Sequence, residues 1–260
     1  MNNILQKIVD NKRREVEALN ARGGNITNEL TPRLFLNAPA SMSKAIKEST
    51  NGIIAEFKRR SPSKGEIHPL ALVSDIVPEY EAAGAAACSV LTDTVFFGGA
   101  LSDLALASET TRLPLLRKDF IVDERQIYEA RIFGASAVLL IAAVLSFDEI
   151  TRYTSLAHNL GLEVLLELHS TVDLDRFVPE ADMVGVNNRD LTTFRTDTNT
   201  SLSIVASLPA DIVKIAESGI SSPDEIHRLR DAGYDGFLIG ERFMIQPSPG
   251  KALKQFINEL

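Results

Sequence analysis

Charged side chains recur where short apolar segments of the chain end, at the positions where strands would reach the rim of a sheet. The set consists of Glu56, Lys58, Lys118, Glu167 and Glu217, together with the amide Asn187. Charge is costly to remove from water, so we interpret this set as catalytic machinery. Any one member alone would more often be a solvated strand end; their recurrence favours a common site.

Two lysines among three carboxylates suit proton transfer. Neighbouring carboxylates favour the ammonium form and burial disfavours it, so such a lysine can stay charged and still donate a proton. A nearby glutamate could accept a proton in the same reaction. Schiff-base formation is the rival use of a lysine and needs an amine desolvated away from acids. The residue types alone leave both open.

Two turns and a basic loop suggest an anionic ligand. The turns Ser218-Gly219 and Gly240-Glu241 follow the last two apolar segments, and backbone N–H groups there could hold a phosphate. Simple turn geometry is the alternative reason for the glycines. The loop Arg59–Lys64, which contains Ser61, could cover an anionic substrate or act as a lid, although a solvated loop would explain Arg59 and Arg60 equally well.

Other candidate binding residues lie just beyond the segment ends. Arg189 could form a bidentate pair with a substrate carboxylate, or a surface salt bridge. Phe97 and Phe120 could line an aromatic pocket, or pack under loops. We expect no metal site, because the four histidines show no metal-ligand spacing, and none of them is a catalytic candidate; they are His68, His158, His169 and His227.

The elements that would position these residues are short apolar segments alternating with helical ones. The predicted strands are Ile53–Lys58, Ala87–Thr92, Leu113–Lys118, Ala137–Ile141, Glu163–Leu168, Met183–Asn187, Ile212–Glu217 and Gly236–Ile239. Eight such units predict an α/β fold, a (β/α)8 TIM barrel, whose active sites lie at the carboxyl ends of the strands. An open doubly wound sheet is the competitor, but no GxGxxG follows the first segment.

The residues before the first strand predict helices. Apolar side chains at helical spacing indicate an amphipathic helix from about Ile4 to Leu19, laid across the barrel, and a second from Met42 to Glu48. Ser222-Pro223 is a capped helix start, and Gly84 is one of several glycines at helix ends. We expect one domain over residues 1–260, with a helical extension at 1–51 and the barrel at 52–260.

Composition restricts the partners. The net charge of −8 argues against nucleic acid, and the longest apolar run, Ala137–Leu145, is too short for a membrane span. One cysteine excludes an internal disulfide, and the first residues lack a signal-peptide core. We therefore expect a cytoplasmic protein that binds a small phosphorylated anion and binds neither nucleic acid nor membrane; the sequence is compatible with a monomer.

Four segments together closely resemble the indole-3-glycerol phosphate synthase family of tryptophan biosynthesis, and the likeness covers nearly the whole chain. The segments are Ile54–Ser63, Leu115–Ile121, Val186–Leu191 and Ala216–Ile220. The resemblance implies a cofactor-free barrel enzyme. Its reaction would close the ring of 1-(2-carboxyphenylamino)-1-deoxyribulose 5-phosphate and release carbon dioxide and water.

The resemblance also implies roles for the candidates. Lys118 is the general acid, Glu167 the proton acceptor, and Lys58 holds the substrate carboxylate or acts as the acid of the second step. The remaining roles are orientation of the lysines and sugar hydroxyls by Glu56, Asn187 and Glu217; contact with the carboxyphenyl end by Ser61, Arg189, Phe97 and Phe120; and a phosphate cradle of Ser218, Gly219, Gly240 and Glu241.

Two alternatives stay open at this point. Phosphoribosylanthranilate isomerase resembles this chain in its phosphate loops, but it uses a thiol near the end of the first strand, where this chain has Glu56-Phe57-Lys58 and Cys88 lies elsewhere. A non-catalytic barrel that only binds a phosphorylated metabolite is the other, and it would have no need of proton donors.

Overall fold

The computed structural model describes residues 4–21, 23, 26–31, 38–190 and 194–260. The helices are α1 Ile4–Ala21, α2 Met42–Glu48, α3 Val73–Ala83, α4 Thr94–Phe97, α5 Leu101–Thr110, α6 Glu124–Ile132, α7 Phe147–Asn159, α8 Asn199–Ile204, α9 Pro223–Asp231, α10 Glu241–Met244 and α11 Pro249–Asn258. The strands are β1 Ile53–Phe57, β2 Arg60–Ser61, β3 Gly65–Glu66, β4 Ala87–Leu91, β5 Leu115–Lys118, β6 Ala137–Ile141, β7 Glu163–Leu168, β8 Met183–Asn187, β9 Val213–Glu217 and β10 Gly236–Ile239.

Eight parallel strands close into a barrel in the order β1-β10-β9-β8-β7-β6-β5-β4, and this confirms the predicted (β/α)8 fold. Strands β6, β7, β8 and β10 begin and end at the predicted residues, and the others differ by one or two residues at one end. A small antiparallel pair, β2 and β3, lies in the loop after β1. Parts of the predicted extension, residues 1–3, 22, 24–25 and 32–37, lie outside the described residues, and its division from the barrel stays a prediction.

Side-chain alternation along the strands gives the barrel two apolar layers. Ile54, Leu116 and Leu165 pack together inside the barrel, while the residues next to them, such as Ala55 and Leu166, pack against the surrounding helices. Because alternate residues of a strand share a face, the inward set of Ile54 continues to residues 56 and 58 at the carboxyl end. The same parity brings the predicted polar side chains to one mouth.

Helix α2 closes the opposite end of the barrel. Its Met42 and Ile46 are buried in the interior cluster. The carboxylate of Glu163, the first residue of β7, accepts hydrogen bonds from the backbone N–H groups of Met42 and Ser43 at 2.7 and 2.8 Å, and from the hydroxyls of Ser41 and Ser43. An acid at a helix N-terminus satisfies N–H groups that lack partners within the helix, so the strand fixes α2 in place.

Helix α1 lies over the mouth where the strands end. Its Ile8 and Val9 join the interior cluster, and Lys12 forms ion pairs with Asp93 at 3.0 Å and Asp119 at 3.1 Å, which follow β4 and β5. The Lys12 side chain is only 7% exposed, and the two carboxylates outweigh burial and raise its pKa. The predicted amphipathic helix therefore forms part of the wall above the strand ends.

Helix ends agree with the sequence signals. Ser222 caps α9, with Pro223 in the first turn and Glu225 returning the capping-box hydrogen bonds. Gly84 ends α3 with a φ of +98°, a conformation that favours glycine. Among the described helices, none is long enough and apolar enough to cross a bilayer.

Candidate active site

A cavity of about 660 Å³ opens at the carboxyl ends of the strands. Every predicted site residue contributes to its wall: Glu56, Lys58, Ser61, Phe97, Lys118, Phe120, Glu167, Asn187, Arg189, Glu217, Ser218, Gly219, Gly240 and Glu241. The geometric part of the prediction, that these residues converge on one pocket, is therefore confirmed. Their individual roles stay predictions.

Lys118 lies between two buried glutamates. Its Nζ atom is 3.2 Å from Glu217 Oε2 and 3.5 Å from Glu167 Oε2, and the two carboxylate side chains are 1% and 3% exposed. Burial alone would lower the pKa of Lys118, but the carboxylates of Glu217, Glu167 and Glu56 outweigh it and raise that pKa. The amine is therefore held as an ammonium that faces the cavity, which disfavours its use in a Schiff base.

The two glutamates around Lys118 cannot both ionise at equal cost, because like charges near each other oppose ionisation. Burial and the charge of Glu167 raise the pKa of Glu217 against the effect of Lys118. For Glu167, Lys118 and His169 outweigh burial and lower the pKa. At neutral pH the pair therefore comprises a carboxylate at Glu167 and a proton held near Glu217.

A second acid–base pair lies at the end of β1. Lys58 Nζ is 2.6 Å from Glu56 Oε1. Burial would raise the pKa of Glu56, yet the charges of Lys58, Lys118 and Arg189 outweigh it and lower that pKa. Glu56 is thus an ionised anchor, and it holds the ammonium of Lys58 at the cavity wall.

Two glycines make room for these carboxylates. A Cβ atom on Gly185 would lie 2.1 Å from Glu217 Oε1, and one on Gly240 would lie 2.4 Å from Glu56 Oε1. Both distances are far below van der Waals contact, so any larger residue would displace a carboxylate. The glycines in β8 and after β10 are therefore part of the site's geometry.

The anion-binding candidates occupy a different part of the wall. Ser218 and Gly219 both have left-handed backbone conformations, with φ of +65° and +76°. Such a conformation is uncommon for a residue other than glycine and concentrates at functional sites. The carboxylate of Glu241 points to Arg189, at 3.4 Å, and to Lys64, at 3.3 Å.

Arg189 also joins two loops across the mouth. Its guanidinium donates a hydrogen bond to the hydroxyl of Ser63, and its backbone N–H donates to Asn187 Oδ1 at 3.0 Å. The surface salt bridge considered for Arg189 therefore exists, with Glu241, but it lies in the cavity wall. A substrate carboxylate would have to compete with Glu241 for the guanidinium.

Apolar side chains form the remaining wall. The rings of Phe97 and Phe120 have centroids 6.1 Å apart with a 34° angle between their planes, and both line the cavity. Ile4, Leu5 and Ile8 of α1 also line it. The cavity thus has an aromatic and aliphatic side next to a charged floor. Among the residues that the structure describes, no three His, Cys, Asp or Glu side chains are grouped to hold a metal ion.

Comparison with known proteins assigns the family. The model of the indole-3-glycerol phosphate synthase family matches residues 5–256. An indole-3-glycerol phosphate synthase of Bacteroides thetaiotaomicron is 49% identical over 260 residues, with all of both chains covered. The chain belongs to the indole-3-glycerol phosphate synthase family. A Koribacter versatilis synthase of the same name is 43% identical and covers 99% of this chain and 100% of its own.

Solved structures with lower identity share only the fold. A thiamine phosphate pyrophosphorylase from Pyrococcus furiosus superimposes with a TM-score of 0.60 at 17% identity, covering 84% of this chain and 96% of its own. This likeness shows the barrel fold alone.

The isomerase alternative fails on geometry as well as on family. Cys88 is fully buried in the apolar layer between barrel and helices, where burial raises the pKa of its thiol. A thiol acid or base would have to reach the cavity, and this one points away from it.

Sequence reasoning missed one residue of this synthase-family site and misjudged another. His169, set aside as a loop residue, has its Nε2 atom 3.1 Å from Glu167 Oε1. Arg59, considered as a solvated residue or a substrate contact, forms a bidentate pair with Asp103 at 2.6 and 2.8 Å and lies outside the cavity wall. His169 follows β7 by one residue, so strand alternation gave no signal; proximity to Glu167 in sequence was the only hint.

Proposed function

We propose that the protein is a carboxy-lyase, which converts 1-(2-carboxyphenylamino)-1-deoxyribulose 5-phosphate into indole-3-glycerol phosphate, carbon dioxide and water. Family membership supports the reaction. One observation supports the catalytic roles given to individual side chains below. The ammonium of Lys118 faces the cavity between Glu167 and Glu217.

Lys118 is the general acid of ring closure. The ring carbon that bears the carboxylate attacks the ketone carbon, and the ketone oxygen takes a proton from Lys118 to become a hydroxyl. The bond to the carboxylate then breaks, carbon dioxide leaves, and its electron pair restores the aromatic ring. A lysine held charged by carboxylates is suited to protonate an oxygen whose basicity rises during the attack.

Glu167 is the proton acceptor of the dehydration. The hydroxyl leaves as water after protonation, a proton leaves the adjacent carbon to Glu167, and the new double bond completes the indole. Glu167 is ionised before the substrate arrives, because Lys118 and His169 hold its pKa low. Once Lys118 has given its proton to the ketone oxygen, its positive charge is lost, and the pKa of Glu167 rises so that it can accept the proton. Lys58 can supply the second proton, or Lys118 can do so after it has taken up a proton from solvent.

The two ends of the substrate match the two anion-binding parts of the wall. The turn Ser218-Gly219 and the turn Gly240-Glu241 offer backbone N–H groups to the phosphate. We expect the carboxylate to bind near Lys58 and Arg189 and the phenyl group to bind beside Phe97 and Phe120, because these four residues line the cavity and the two rings are neighbours. The partner is therefore a small phosphorylated anion.

The test is turnover of the synthetic carboxyphenylamino substrate by the purified full chain, followed by fluorescence of the indole product. Product formation with loss of carbon dioxide supports the proposal. Tight binding of the substrate without turnover would establish the alternative of a non-catalytic binding barrel, and no binding at all would refute both.

A further inference from the structure

His169 lies directly behind Glu167, outside the cavity wall. Its backbone N–H donates to Asp173 Oδ2 at 2.8 Å, in the 3-10 helix Thr171–Arg176 that follows β7. This bond places the imidazole with Nε2 at 3.1 Å from Glu167 Oε1, and the side chain is 12% exposed. The ring is thus held by the backbone after β7 and reaches back to the carboxylate.

The two oxygens of Glu167 face different cations. Oε1 faces His169 and Oε2 faces Lys118, at 3.1 and 3.5 Å. Glu217 is different, since Lys118 at 3.2 Å is its ion-pair contact and neither of its oxygens has a hydrogen-bond partner among the described residues. Two buried acids share one lysine, and the additional cation lies next to Glu167.

We propose that His169 is a positioning residue, which keeps Glu167 as the ionised member of the Glu167–Glu217 pair and keeps its Oε2 directed towards Lys118. The inference rests on the proposed role of Glu167 as the proton acceptor. It extends that role by naming the group that decides which of two similar buried glutamates carries the negative charge.

The charges around the ring support an imidazolium. Burial would lower the pKa of His169, but the carboxylate of Glu167 outweighs it, with smaller contributions from Asp173 and Glu217, and the pKa is raised. The opposing cations are Lys118, on the far oxygen of Glu167, and Arg176, which lies 4.0 Å from Asp173. The nearest carboxylate therefore dominates.

Glu167 is the close polar contact of this ring. Nε2 lies 3.1 Å from Glu167 Oε1, and among the described residues neither ring nitrogen has a partner with full hydrogen-bond geometry. A buried ring whose close polar contact is the proton acceptor is explained by function better than by a hydrogen-bond network of the fold. Replacing it should therefore affect turnover more than stability.

The experiment compares His169→Ala, which removes ring and charge, with His169→Gln, which keeps an N–H donor but no charge. We expect kcat of His169→Ala to fall about 10-fold or more while KM changes less than about twofold. Without the adjacent cation the pKa of Glu167 rises, so the acidic limb of the kcat profile should move up by about one pH unit in both variants. His169→Gln should recover part of kcat but not the shifted limb.

The matched control is His158→Gln. His158 Nε2 lies 2.9 Å from Asp182 Oδ2, a similar pair on the surface, and this variant should leave kcat and the pH profile unchanged. If both His169 variants lose thermal stability while kcat and the acidic limb stay at wild-type values, His169 is structural and the proposal is overturned.

A second measurement does not depend on activity. NMR titration of the imidazole nitrogens in the wild-type full chain should show one histidine that keeps both protons well above pH 7, assigned by its loss in His169→Gln or by through-space contacts to β7. A His169 signal that is neutral at pH 7 overturns the proposal. Absence of wild-type turnover would refute the proposed function instead, and the titration would still report the charge of His169.

Discussion

Gly185→Ala should impair catalysis although it replaces no charged residue. The new Cβ would lie 2.1 Å from Glu217 Oε1, whereas ordinary contact begins at 3.4 Å. The carboxylate must therefore retreat by about 1.3 Å, the difference between these distances. The φ of Gly185 is not among the positive values, so the backbone accepts alanine and the effect falls on Glu217.

The magnitude follows from the Lys118–Glu217 contact. Its 3.2 Å separation would grow to about 4.5 Å, beyond contact distance, and loss of a polar contact with a charged group costs about 1.5 kcal/mol or more, whether or not Glu217 holds a proton. That is about tenfold in rate if the interaction is needed in the transition state, and misplacement of a catalytic group by about 1 Å can cost up to about 100-fold. We expect kcat to fall between these limits.

Product fluorescence under saturating substrate measures the effect, with two comparisons. Gly236→Ala places a Cβ 3.0 Å from Ile46 and 3.3 Å from Ile215, at the opposite end of the barrel, and should lower stability by about 1–3 kcal/mol without changing kcat. In a Glu217→Ala background the displaced atom is absent, so Gly185→Ala should cause no further loss. Wild-type kcat in Gly185→Ala, or an additive loss in the double variant, would refute the reasoning.

Three other changes test the charge networks. Lys118→Met should lower kcat by about 100-fold to 10,000-fold in a folded protein, and Lys118→Arg should not restore it; circular dichroism checks folding, and turnover near wild type would contradict the role. Lys12→Met leaves the buried carboxylates Asp93 and Asp119 without their shared cation, so urea unfolding should show a loss of about 3–5 kcal/mol, and an unchanged midpoint would contradict the importance of this contact. Burial would raise the pKa of Asp119, but Arg117 and Lys12 outweigh it and lower that pKa; its stabilising contribution is therefore complete above about pH 4 and is lost as the pH falls further. Asp119→Asn should flatten the acidic part of the stability curve, and an equally steep curve would exclude Asp119 as its source.

The sequence predicted the fold and the cavity wall because both depend on local periodicity. Parity along each strand determines which side chains point inward, and the ends of β6, β7, β8 and β10 could be read from apolar segments alone. Glu167 and Glu217 could therefore be placed at one mouth before any coordinates were known.

Long-range pairing could not be predicted in this way. Arg59 is held by Asp103 and Lys12 by Asp93 and Asp119, and these partners are far apart in sequence. His169 lies beyond the last residue of β7, where backbone direction is set by the hydrogen bond to Asp173 and not by strand alternation. Such contacts depend on how loops and helices pack, which a single sequence does not encode in a regular pattern.

The charge of the cavity explains how an acidic protein can receive an anion. Among the described residues of the wall, acids and bases are equal in number: Glu56, Asp119, Glu167, Glu217 and Glu241 against Lys58, Lys64, Lys118, Arg189 and Arg242. The chain as a whole carries −8, so its negative charge lies mainly elsewhere. The raised pKa of Glu217 removes one negative charge from the wall at neutral pH. The balance at the mouth is therefore positive, and screening by salt limits repulsion from the distant acidic surface.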